Sequence, residues 1–172
     1  MKDSTRIHYA NGSTGKVIAA RLLPGTDLMT GIEELCSAND ITYAQISTCF
    51  GSFQKSGFFY LVPVPDSKLG AGYGELISKE GPIEFLNGTG LVCQRDSEYE
   101  IHLHGTMCDQ QGTVFGGHLV KGENPVYTVD LLITEIQGME LLRQLDAESG
   151  VNQFYPVTKG QKETAFIEVS KD

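Results

Sequence analysis

The chain has 172 residues, of which 40% are hydrophobic, and 13 Lys and Arg stand against 22 Asp and Glu for a net charge of −9. That length suits one domain with a substantial core, and the negative charge argues against a polyanionic partner, whose phosphates are normally neutralised by a basic stripe. No apolar run approaches the ~18 residues of a membrane span. The opening Met1-Lys2-Asp3-Ser4 carries no signal-peptide core, so the expected location is cytoplasmic and the N-x-S/T matches at Asn11 and Asn87 are coincidental.

Residues 1–15 are polar and read as a flexible N-terminal segment, and residues 16–172 as a single domain. Lys16 to Leu23 is a predicted strand stopped by Pro24-Gly25. Thr26 is the expected cap of a helix whose apolar face is Leu28, Ile32 and Leu35. Tyr43 to Phe50 is a strand interrupted at Gly51-Ser52, and Gly57 to Val64 is a second one. Leu69 to Gly74 is a glycine-rich loop without the Gly-Lys-Ser/Thr of a phosphate-binding loop. Short strands are predicted at Glu75–Lys79, Pro82–Leu86 and Thr89–Gln94, then longer ones at Glu98–Met107 and Val126–Ile136. Met139 to Leu145 has the spacing of a short helix, and Ala165 to Val169 that of a final strand. The fold class is therefore α+β: a mostly antiparallel sheet flanked by one main helix and a short C-terminal helix. Cys36, Cys49, Cys93 and Cys108 are widely spaced among apolar residues, as reduced core thiols are.

Three of the four histidines fall in one short stretch, Ile101-His102-Leu103-His104 followed by Gly116-Gly117-His118. On a strand, His102 and His104 share a face. Asp109-Gln110-Gln111-Gly112 is a turn by composition, and a three-residue hairpin loop with glycine in its left-handed last position sets His104 opposite His118. A two-residue loop would instead set His118 opposite Leu103 and turn it to the other face. Gly112 favours the odd loop, and Gly116-Gly117 is a place where a bulge could intervene. Two histidines on a polar face are as readily solvated or packed at an oligomer interface; the third, in register, shifts the reading to a metal site. Neutral imidazole suits zinc first, and also nickel, iron or manganese. Glu100 shares the strand face as a ligand, a partner to the ligands or a base, and Glu84 is the other carboxylate to test for such a catalytic role. Either is equally explained as a surface charge. His8 lies in the polar start and is expected to be unrelated.

Several segments together resemble the plants-and-prokaryotes-conserved (PPC) domain in its prokaryotic single-domain form. They are Arg21 to Leu28 with its helix, Ala44-Gln45-Ile46 leading to Phe50-Gly51-Ser52, Ile83 to Leu86 before Gly88, His102-Leu103-His104, Asp109 to Gly112, and Gly116 to Leu119. The resemblance implies an α+β fold that assembles as a homotrimer, and in some prokaryotic members a metal at positions matching His102, His104 and His118. The ligand pattern is also similar to the zinc site of α-acetolactate decarboxylase, by analogy of chemistry. Plant members carry Arg-Gly-Arg AT-hooks that enter DNA; this sequence contains no Arg-Gly-Arg, and has Pro82 where plant members carry an Arg.

The expected function is thus a homotrimeric protein holding a divalent ion and acting on or sensing a small-molecule ligand. If it is an enzyme, it is a metal-dependent lyase or hydrolase on a small carbonyl or carboxylate substrate. The alternative is a DNA-associated regulatory or assembly domain, which the net charge disfavours, and a third reading is a purely structural ion.

Overall fold

The computed structural model describes residues 4–170. In chain order the elements are β1 (Ser4–Tyr9), β2 (Ser13–Leu22), α1 (Leu28–Ala38), β3 (Ala44–Phe59), β4 (Leu61–Pro63), β5 (Ala71–Tyr73), β6 (Ile77–Arg95), β7 (Glu98–Cys108), β8 (Val114–Leu119), β9 (Val126–Gln137), β10 (Met139–Leu145), β11 (Asn152–Thr158) and β12 (Ala165–Ser170). Eight strands form one sheet in the order β11-β10-β6-β7-β8-β3-β9-β2, and β6 pairs with β3 as well. That extra pairing closes β3, β6, β7 and β8 into a ring, from which β9–β2 and β10–β11 extend. Every pairing in this sheet is antiparallel except the single β6–β10 contact at Leu142 and Gln94.

Strand alternation fills the ring. Ile46 and Phe53 of β3, Ile83 and Phe85 of β6, Leu103 and Met107 of β7 and Leu119 of β8 are all buried, and the Phe53 and Phe85 rings lie 4.6 Å apart. Helix α1 adds Leu28, Met29, Ile32 and Cys36 to the same core. Its cap is Asp27, one residue later than the sequence suggests: Oδ1 accepts from the Thr30 amide at 3.1 Å while Oδ2 accepts from the Asn124 amide at 3.0 Å. That second bond ties the helix start to the turn before β9 through the Asp27 side chain, whereas Thr26 meets β9 through its backbone carbonyl, which accepts from the Val126 amide at 2.9 Å.

Several predicted boundaries move. The expected break at Gly51-Ser52 is absent because β3 runs through it. A Cβ at Gly51 would stand 2.1 Å from the Thr128 carbonyl of β9, so this glycine marks a close strand approach, not a stop. Residues 77–95 are likewise one strand, and Ala71–Tyr73 of the glycine-rich stretch pairs with Leu61–Pro63 as a small ribbon. The short C-terminal helix expected at Met139–Leu145 is corrected to a strand, β10. Its Met, Glu, Leu, Arg and Gln are good helix formers, but β11 pairs along its whole length, from Met139↔Thr158 to Leu145↔Asn152, and tertiary pairing overrides propensity. Residues 4–9, read in the sequence as part of a loose start, form β1 against β12. Among the described residues no helix is long and apolar enough to cross a membrane.

Candidate metal centre

The hairpin β7–β8 builds the site. Gly112 takes φ +78°, the left-handed conformation that glycine adopts without strain. The Asp109 amide donates to the Thr113 carbonyl at 3.1 Å, and Asp109 Oδ1 accepts from the amides of Gln111 and Thr113 at 3.0 and 2.9 Å. The loop is therefore the three residues Gln110 to Gly112, and the ladder runs without a bulge from Cys108↔Val114 to His104↔His118. On the other side of β8, His118 pairs with Phe59 of β3. Because Leu103 points into the core, its neighbours His102 and His104 point out of the ring, onto the face that His118 shares.

The three rings form a nearly equilateral triangle, with centroids 5.0, 5.0 and 5.2 Å apart, and one nitrogen from each lies within 4.8 Å of the others. His102 Nε2 and His104 Nε2 are 3.0 Å apart. Two nitrogens on a tetrahedral zinc would be separated by about 3.3 Å, so the His102–His104 pair stands close to the spacing an ion requires, with a His118 nitrogen within 4.8 Å of both. Burial, reinforced by Arg143 and the other two imidazoles, pushes His102 down to about 4. Burial with His104 and Arg143 does the same to His118, and burial alone lowers His104. All three rings are thus neutral at neutral pH, the form that ligates. The donor set, its spacing and its protonation fit a divalent transition metal.

Two residues around the triangle are invisible to sequence reasoning. Tyr73 Oη lies 3.1 Å from His118 Nδ1, its ring stacked on Phe59, which leaves His118 Nε2 for a ligand role. Arg143, on the strand misread as a helix, places Nη1 3.3 Å from His102 Nδ1 and Nη2 3.2 Å from the Asn152 carbonyl. Its Nε reaches Glu100 Oε1 at 3.4 Å. Glu100 therefore approaches the histidines through Arg143. Its other oxygen, Oε2, is buried without a hydrogen bond, although Arg95 Nε stands 2.9 Å away. Glu84 is not brought to the cluster: it is exposed on β6 opposite Cys108, four residues along β7 from His104 or roughly 13 Å. His8 sits on β1 between the rings of Tyr155 and Phe166, 5.8 and 5.0 Å away, apart from the triangle.

Residues 9–137 match the model of the Plants and Prokaryotes Conserved (PCC) domain, the same family under another abbreviation. The chain belongs to this family. Among solved structures it is similar to a metal-containing protein from Archaeoglobus fulgidus (25% identity, TM-score 0.74), over 86% of this chain and 99% of that one. A plant- and prokaryote-conserved protein from Pyrococcus horikoshii has 24% identity and a TM-score of 0.72, over 91% and 99% of the two chains. A candidate DNA-binding protein from Ralstonia eutropha JMP134 shares the fold at 21% identity and TM-score 0.65, over 79% and 88%. The bifunctional protein GlmU of Synechococcus sp. is 25% identical over 135 residues, 78% of this chain. The chain spans only 19% of the length of that curated relative. β10, β11 and β12, and with them Arg143, lie beyond the matched family segment.

Proposed function

We propose that this PCC-domain chain holds a divalent metal ion, zinc before others, on His102, His104 and His118 and presents it to a small molecule. The triangle of neutral imidazoles on one face of β7–β8 carries this reading. Three histidine ligands leave a position for an exogenous oxygen, and an ion there lowers the pKa of water or polarises a carbonyl. The metal-containing A. fulgidus protein of the same fold supports it. In this reading Glu100 is a positioning residue that holds Arg143 beside His102, and Glu84 has no part. The test is elemental analysis of the purified, untagged protein beside His104→Ala. One ion per chain in the native protein and loss in the variant supports the reading; no ion in either after reconstitution removes it.

The working form we propose is a homotrimer. The outer face of β2–β9–β3 carries the cross-strand row Ala19–Leu132–Thr48, with Val17 65%, Phe50 48% and Leu132 37% exposed, and such apolar surface is what a subunit contact covers. Sedimentation equilibrium decides it: a mass of one chain, about 19 kDa, removes the trimer.

DNA association is the second reading, supported by the name given to the R. eutropha protein. The net charge of −9 opposes it. A gel shift with duplex DNA that stays blank at low salt eliminates it for this chain.

A further inference from the structure

Resting on that metal reading, we propose that the site is a receptor for a small carboxylate, one oxygen going to the ion and the other to Arg143. Charge is the first reason. Three neutral imidazoles leave the ion's two positive charges uncompensated, and Arg143 and Arg95 add two more against the one carboxylate of Glu100. The loaded site therefore carries a surplus of about three positive charges in a chain that is strongly acidic as a whole. No carboxylate belongs to the ligand group among the described residues, so the compensating anion must come from outside.

Hydrogen bonding is the second reason. Arginine can only donate, so Nδ1 of His102 accepts from Arg143 and the ring proton sits on Nε2, aimed at His104 Nε2. Were Nε2 of His102 to hold an ion, its lone pair would be taken and the ring proton would have to sit on Nδ1 instead. Two N–H groups would then face each other across 3.3 Å, and the arginine must find another acceptor. Its side chain is only 12% exposed, and its remaining contacts, Nη2 to the Asn152 carbonyl at 3.2 Å and Nε to Glu100 at 3.4 Å, leave Nη1 without an acceptor. A carboxylate bound to the ion supplies the acceptor, and a guanidinium fork is matched to it. The discrimination from phosphate rests on donor count: one freed donor, Nη1, and one open metal position match the two oxygens of a carboxylate, whereas a phosphate brings further oxygens beyond those two. Tyr73, beside His118, offers the hydroxyl that a second polar group of the ligand can meet.

Cobalt(II), whose visible absorption reports its coordination, replaces the native ion in the full-length protein, which is then titrated with acetate, acetamide and inorganic phosphate. Acetate is expected to shift the bands with saturation, acetamide to leave them unchanged, and phosphate to bind more weakly than acetate. Arg143→Met should retain one cobalt per chain yet bind acetate at least about ten-fold more weakly, with Arg143→Lys between. Equal responses to acetate and acetamide, tighter phosphate than acetate, or an unchanged Arg143→Met overturns the proposal. If Arg143→Met does not fold, the acetate–acetamide comparison in the native protein and the Arg143→Lys titration decide. A native protein that takes up no cobalt defeats the metal reading itself and this proposal with it; cobalt bound but indifferent to acetate defeats this proposal alone.

Discussion

His104 and His118 stand directly opposite each other on adjacent antiparallel strands, in a register set by the three-residue loop Gln110 to Gly112. A one-residue slip would turn His118 to the opposite face. Deleting Gln111 is therefore expected to abolish metal binding although all three histidines remain. Metal stoichiometry of the folded deletion variant checks this; a full complement of ion would show that the loop does not set the site.

Two glycines of this hairpin are needed for different reasons. A Cβ at Gly112 meets nothing within 4 Å, so Gly112→Ala should cost only the left-handed backbone penalty, about 1–2 kcal/mol. At Gly117 a Cβ would stand 2.2 Å from the Phe59 carbonyl. Gly117→Ala must push β8 away from β3 and should destabilise more than Gly112→Ala and weaken metal binding. Urea midpoints of the two variants, measured side by side, give the order.

The loop also makes acid sensitivity predictable. The Thr113 amide, helped by that of Gln111, holds the Asp109 carboxyl below its usual 3.8. A carboxyl whose folded pKa lies below its unfolded value stabilises the fold above the unfolded pKa, and that contribution disappears as the pH falls below it. The native protein should melt above Asp109→Asn near pH 6, and the gap should narrow below about pH 4. Thermal melts across that range test it; a gap that widens in acid contradicts the assignment.

Tyr73 should matter to the ion without touching it. By orienting the His118 ring and accepting its Nδ1–H when Nε2 holds an ion, it acts as outer partners of metal ligands do, so Tyr73→Phe should weaken metal affinity roughly 10–100-fold. Competition with a chelator reads the affinity, and the unchanged melting temperature expected of the metal-free variant separates this from general damage.

Cys36, Cys49 and Cys93 are fully buried, and burial pushes their thiols up to about 11, 12 and 12. Cys108 is half-buried. A thiol reagent should label Cys108 first in the native protein and reach the other three only on unfolding. Mass mapping of the labelled sites gives the answer.

The histidine register was legible because the information is local: a strand alternation, an Asp and a Gly at fixed offsets within 17 residues, His102 to His118. Strand ends were less so. Gly51, and Glu80-Gly81 between two predicted short strands, read as punctuation, yet both glycines lie inside long strands where a neighbouring strand comes close. Residues 139–145 have helical composition and become β10 only because residues 152–158 return alongside them. The parallel contact of β10 with β6, at Leu142 and Gln94, delivers Arg143 to His102, 41 positions away, and the β4–β5 ribbon delivers Tyr73 to His118 across 45. No pattern around either residue announces that meeting, so the ligands could be read from the sequence while the groups that orient them could not. β1 was hidden for the same reason, since its partner β12 lies at the other end of the described chain.

X-ray absorption at the metal edge of the zinc-loaded protein tests the central claim most directly. Three imidazole nitrogens at about 2.0–2.1 Å with one further light atom is the expected shell, reduced to two imidazoles in His118→Ala. A shell containing sulfur, fewer than three imidazoles in the native protein, or one unchanged by His118→Ala would contradict it.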